Sequence, residues 1–247
     1  KAAFVQGQFS VMFEKIWLRF FDKKGQISDQ DNVTWLIDNE TKISDFCCSL
    51  DKKLWLKIQA DVIRVSNNAK KTLENIPYDL GGGGAFPLLY FIIRLFKPSV
   101  VVETGVASGF STYAILDALD KNQKGHLYSS DFPYFRLPNP TQYIGIVVPE
   151  YLKSRWSLYK KGDHSNLKMI SKCVIDIDVF HYDSDKSYKG RSFAFSALRD
   201  HLSSKSWVII DDIQDNSFFY DLVSKKPHEN YRVFHFEGKW VGLIIPD

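Results

Sequence analysis

The chain has 247 residues, a net charge of +3, 45% hydrophobic and 25% charged residues, a balance that suits one large soluble α/β domain with an extension. That charge excludes a broad basic surface for nucleic acid, and the longest apolar runs, 86–96 and 241–245, are core-sized, too short to span a membrane. Three cysteines, Cys47, Cys48 and Cys173, without C-x-x-C spacing, argue against a disulfide framework or a zinc site and suit a reducing, cytoplasmic setting.

In chain order, Phe9, Phe13, Ile16, Trp17 and Phe20 recur at helical spacing before Lys23-Lys24-Gly25, predicting an amphipathic helix that packs on the main domain, joins a homodimer or roofs a site. Leu50, Leu54, Ile58, Val62 and Val65 predict one long helix or two over 44–76, with Lys52-Lys53 and Lys70-Lys71 on a solvated face. Gly81 to Gly84 form a flexible joint, open to dihedrals closed to other residues. The expected division is therefore a helical extension over 1–84 and a main domain over 85–247.

The main domain opens with an almost wholly apolar helix, 85–96, stopped by Lys97-Pro98. Ser99 to Glu103 reads as a buried parallel strand, Thr104 to Gly109 as a tight turn, 110–119 as a helix and His126 to Asp131 as a second strand ending in a carboxylate. Asp131 then stands where a ribose diol is held. The glycine frame is Gly105-x-x-x-Gly109 with Ala107 at the place of the second glycine, which disfavours a nicotinamide dinucleotide. Glu103 would repel a pyrophosphate but receive an ammonium group. S-adenosylmethionine fits that pattern better, and an ordinary βαβ turn without ligand is the plain alternative.

The proline-rich connection 132–149 is long enough to line a site, which makes Tyr134, Phe135, Arg136 and Tyr143 candidate contacts. A third strand, 156–160, leads through Gly162-Asp163-His164 into a helix over 166–171. Asp163 could accept from an adenine amino group or serve as the helix N-cap. Strands at 177–182 and 207–210 flank a helix over 190–202, and 231–236 with 240–245 form a hairpin around Gly238. His181 falls inside a strand and reads as a core residue, His126 begins one, and His164 and His235 stand nearer to site loops as candidate second bases.

Asp183 and Asp211-Asp212 end neighbouring strands on the edge that carries the glycine turn. Carboxylates so placed need compensation, and oxygen donors of this kind suit Mg²⁺. Lys186, three residues after Asp183, is positioned to take the proton of an acceptor hydroxyl. The bland alternative is that these aspartates cap helices.

Val-Val-Glu-Thr-Gly-Val-Ala-Ser-Gly-Phe-Ser, ending at Ser111, resembles the first motif of class I S-adenosylmethionine-dependent methyltransferases, and Asp131 matches their ribose-binding acid. The resemblance implies a Rossmann-like seven-stranded, mainly parallel sheet with its last strand antiparallel and helices on both faces. The tract His181 to Tyr188 with Ile209 to Ile213 is similar to metal-dependent O-methyltransferases of the catechol, caffeoyl-CoA and macrocin types. Matching them implies Asp183, Asp211 and Asp212 as metal ligands and Lys186, with Asp183, as catalytic. Asp-Asp at 211–212 in place of Asp-Asn points towards a sugar-like acceptor. The implied donor site is Glu103, Thr104, Gly105, Gly109, Ser111, Asp131, Asp163 and His164, with a small-molecule acceptor and no nucleic acid or membrane partner. The rivals are a metal-independent methyltransferase and a non-catalytic protein that keeps the fold.

Overall fold

The structure, a computed structural model, describes residues 27–134 and 136–247. The helix expected around Phe9 to Phe20, and Phe135, lie outside them. Helices α1 (Asp29–Asp38), α2 (Ile43–Leu73) and α3 (Phe86–Phe96) lead into β1 (Val100–Thr104), α4 (Phe110–Asn122), β2 (His126–Ser130), β3 (Trp156–Tyr159), α5 (Asp163–Ile170), β4 (Val179–Tyr182), α6 (Tyr188–Ala197), β5 (Trp207–Ile210), α7 (Phe218–Val223), β6 (Tyr231–Phe236) and β7 (Lys239–Ile244).

The sheet has the order β3-β2-β1-β4-β5-β7-β6. β1 to β5 run parallel, and β7 lies antiparallel between β5 and β6, as the hairpin at Gly238 requires. Chain order reverses between β1 and β4. There the crossovers leave on opposite faces and a crevice opens at the carboxyl ends of the strands.

Alternation along each strand makes two cores. Val101, Val179 and Ile209 pack with α2, α3 and α4 on one face, while their neighbours Val102, Phe180 and Ile210 pack with α1, α5, α6 and α7 on the other. α3 is buried almost all round because it is apolar all round. It ends where Lys97 turns left-handed at φ 49° ahead of Pro98.

The choice between one helix and two over 44–76 resolves as a kinked α2, in which Asp51 leaves helical geometry at φ −156°. Its Oδ1 accepts from the Leu54 amide and restarts the helix as a cap would. α2 is tied to the sheet layer by Arg64, which reaches Asp117 of α4 at 2.7 Å beside the Tyr90 hydroxyl. Two short helices carried no clear signal in sequence. α1 buries only Asn32 and Leu36, and α7 is six residues long.

Candidate active site

The crevice above β1 and β4 holds a cavity of ≈ 510 Å³, within the range of small-molecule sites. Its floor is the turn after β1. Gly105 stands at φ +83° against the tip of β4, where a Cβ would lie 2.1 Å from the Asp183 carbonyl oxygen, so no side chain fits. Ala107 takes a left-handed φ of 49°, uncommon for a residue with a Cβ. In that geometry its N–H donates to Asp131 Oδ2 at 2.7 Å.

Asp131 also accepts from the Phe132 amide at 2.5 Å. Burial raises its carboxyl to about 6 against the pull of those two N–H groups. Asn166, which had no sequence signal, fixes this corner by donating to the Ser130 hydroxyl and to the carbonyls of Asp131 and Tyr159. Asp163 lines the cavity and accepts from the Ser130 and Ser184 hydroxyls. It is the first residue of α5, whose N-cap is Gly162, so the capping alternative for Asp163 gives way. His164 lies in the cavity wall with its ring stacked on Phe193, centroids 4.8 Å apart.

The long connection divides into two parts. Phe132, Pro133 and Tyr134 line the cavity, and the Tyr134 hydroxyl donates to the Leu80 carbonyl. Tyr143 instead turns away to pack edge-on to Tyr78. The stretch from Gly145 to Val147 is hydrogen-bonded to the carbonyls of Ala107 and Ser108, and a Cβ on Gly109 would sit 2.8 Å from the Gly145 Cα. Gly109 therefore serves close packing beneath the turn and does not line the cavity.

Three other residues expected at the donor site lie behind the cavity wall. Glu103 is fully buried and accepts from the hydroxyls of Ser111, Thr112 and Ser129 at 2.7–2.9 Å, so it braces the turn and offers no open carboxylate to an ammonium group. Ser111 is spent on that bond, and Thr104 is fully buried. Of the residues expected at the donor site, Gly105, Asp131, Asp163 and His164 face the crevice, with Ala107 and Asp183 beside them.

Asp183, partly exposed, forms the opposite wall. Burial and the adjacent Asp211 charge raise its carboxyl to about 8, only partly opposed by His181 and Lys186. Asp211 is buried, and neither of its carboxylate oxygens has a hydrogen-bond partner. The glycine run closes over it: a Cβ on Gly84 would fall 1.6 Å from Asp211 Oδ2. Asp212, left-handed at φ 55°, pairs with Lys186 and, at 3.4 Å, with Lys239 from the β6–β7 hairpin. Burial works against the ionised Asp212, but Lys186 foremost holds its carboxyl below the usual range.

The expected three-carboxylate magnesium cage is not what these residues build. Asp212 has turned onto two ammonium groups, and no set of three His, Cys, Asp or Glu side chains gathers around a common point among the described residues. Lys186 follows Asp212 and does not line the cavity. Sequence reading also passed over Arg191, fully buried on α6, which donates to the carbonyls of Asp211 and Asp212 and to Asn216. The signal was there to see, since Arg191 stands three residues from Ala194 on the buried stripe of α6.

His181 lies in the core, as expected, but not as an apolar filler. Its Nδ1 is 3.5 Å from Glu103 and its Nε2 3.5 Å from Asp211. Burial alone would lower its pKa, yet Asp211 and Glu103 hold it up at about 10. His126 bonds Ser157 at the start of β2, and His235 packs on Trp240, so neither lines the cavity.

Residues 102–213 match a family model described as a methyltransferase domain. No curated protein matches the sequence. Among solved structures, the chain is similar to an O-methyltransferase of tomaymycin synthesis from Streptomyces achromogenes in complex with S-adenosylmethionine. That pair has 13% identity and a TM-score of 0.55, covering 74% of this chain and 89% of the other. It is also similar to a methyltransferase from Podospora anserina bound to S-adenosylhomocysteine, at 13% identity and TM-score 0.54, covering 74% and 88%. An O-methyltransferase from Bacillus cereus in complex with S-adenosylhomocysteine matches at 14% identity and TM-score 0.52, covering 76% and 91%. The resemblance read from Val100 to Ser111, and the fold it implied, are borne out.

Proposed function

We propose that this chain, a class I S-adenosylmethionine-dependent methyltransferase by its domain and fold, moves a methyl group to a hydroxyl of a small molecule, using Asp183 as general base and no metal ion. The observation that carries this reading is one cavity with Asp131, braced by two backbone N–H groups, on one wall and Asp183, raised to about 8, on the other. Asp131 receives the ribose diol of the donor, and the turn at Gly105 and Ala107 takes its methionyl part. His164, Phe193 and Phe132 enclose the adenine.

A carboxyl near 8 is matched to taking a proton at physiological pH. The acceptor hydroxyl gives its proton to Asp183 as its oxygen attacks the donor methyl carbon. The carbon–sulfur bond breaks, its electron pair returns to sulfur, and the sulfonium becomes a thioether. Holding oxygen, carbon and sulfur in line supplies much of the rate. Lys186 and Lys239, gathered at Asp212, place positive charge beside this edge. The Asp-Asp pair at 211–212 supports a sugar-like acceptor, and three free cysteines support a reducing, cytoplasmic setting.

Calorimetry with S-adenosylhomocysteine tests the donor site, and absence of binding at millimolar ligand overturns it. Activity that survives exhaustive EDTA supports the metal-free route. Activity lost to EDTA and restored by Mg²⁺ overturns that part alone.

A further inference from the structure

His181 stands beside a largely aliphatic and aromatic core, and it is flanked by two equally buried carboxylates. Such ionic groups add little stability over apolar residues of the same volume, so stability alone gives no reason for them. Their positions along the strands give one. Glu103 pairs in register with His181 and is the residue from which the Ser111 and Thr112 hydroxyls hold the start of α4. Asp211 follows β5 directly and lies under Gly84. Asp183, two residues beyond His181, is in the cavity wall.

We infer that His181 is a positioning residue whose two ring nitrogens tie the donor-binding turn, through Glu103, to the acceptor-side acid Asp211 and the glycine segment above it. Nδ1 serves the donor half and Nε2 the acceptor half. The cavity's donor role, proposed above, enters only one arm of the test.

The two nitrogens can be removed separately. An Asn carboxamide reaches the place of Nδ1 and a Gln carboxamide that of Nε2. In His181→Asn, amide hydrogen exchange over residues 79–86 rises about tenfold while 104–112 is unchanged and S-adenosylhomocysteine affinity stays within about twofold. In His181→Gln the pattern inverts: exchange over 104–112 rises about tenfold, affinity falls about tenfold, and 79–86 keeps its protection. A residue that merely fills the core would loosen both segments alike in both variants, and that result, or no change in either, overturns the inference. Should a His181 variant fail to fold, Asp211→Ala keeps the ring and removes its acceptor-side partner. Residues 79–86 must then loosen without 104–112, and equal loosening of the two overturns the inference. Wild-type protein that binds no S-adenosylhomocysteine defeats the donor reading, while the exchange pattern still decides the role of His181.

Discussion

The two halves of the carboxyl edge are built differently. On the β1–β2–β3 side the carboxylates already have partners: Glu103 takes three hydroxyls, Asp131 two backbone amides, and Asp163 two serines. On the β4–β5 side Asp211 has no hydrogen bond and faces the His181 ring at 3.5 Å, Asp183 is raised by its neighbour, and Asp212 leans on lysines from two other segments. A preorganised half can bind a ligand of fixed chemistry without rearranging. A half with a buried carboxylate that lacks hydrogen bonds is costly by itself. The donor side is held by hydrogen bonds, and the acceptor side is held mainly by charge.

The strongest way to break that contrast is Asp183→Asn. If Asp183 is the base, methyl transfer falls by about 10²–10⁴-fold while S-adenosylhomocysteine affinity, read by calorimetry, changes little. The wild-type rate should climb with pH and level off above about 8, where the carboxyl is ionised; the variant's residual rate should not follow that profile. Loss of donor affinity equal to the loss of rate would place Asp183 in the donor half instead.

The same carboxyl contributes to the pH dependence of stability. In the folded protein it holds its proton to about 8, against 3.8 for the unperturbed group. Between those values the native state binds more protons than the unfolded one, so this contribution to stability declines as pH rises from about 4 to 8. Denaturant melts across that window should fall less steeply for Asp183→Asn than for wild type. Parallel curves would show that the acceptor half is not strained by its charge.

Smaller in effect is Asp131→Ala, which tests the hydrogen-bonded half. It removes hydrogen bonds from an acceptor that the turn already holds in place, and S-adenosylhomocysteine affinity should drop about 10–100-fold, or roughly 1.5–3 kcal/mol. Unchanged affinity would mean that Asp131 only braces the Ala107 turn.

The same division explains what the sequence made legible. Strand, turn, helix and carboxylate from Val100 to Asp131 are contiguous, and the pattern carried the ligand end of the site. Even there, the fate of Glu103 was hidden, because the hydroxyls that consume it come from Ser111, Thr112 and Ser129 on two further elements. The acceptor side is assembled across longer gaps. Lys239 reaches Asp212 from a hairpin 27 residues away, and Gly84 covers Asp211 from before the first strand. Spacing along the chain located the aspartates on one edge but could not say which way each carboxylate turned. That choice decided against the three-ligand cage.

The smallest expected effect sharpens the claim of a preorganised donor half. Ala107 holds a left-handed conformation that costs a residue with a Cβ about 1 kcal/mol, and its N–H orients Asp131 only in that shape. Ala107→Gly relieves the strain but frees the unfolded chain, so melting should move by less than about 1 kcal/mol in either direction. Donor affinity is the discriminating readout. If the turn is rigid because 145–147 hold it from below, S-adenosylhomocysteine binds the variant as it binds wild type. If affinity falls with an unchanged melt, the Ala107 methyl itself was restraining the turn, and the donor half is less preorganised than its hydrogen bonds imply.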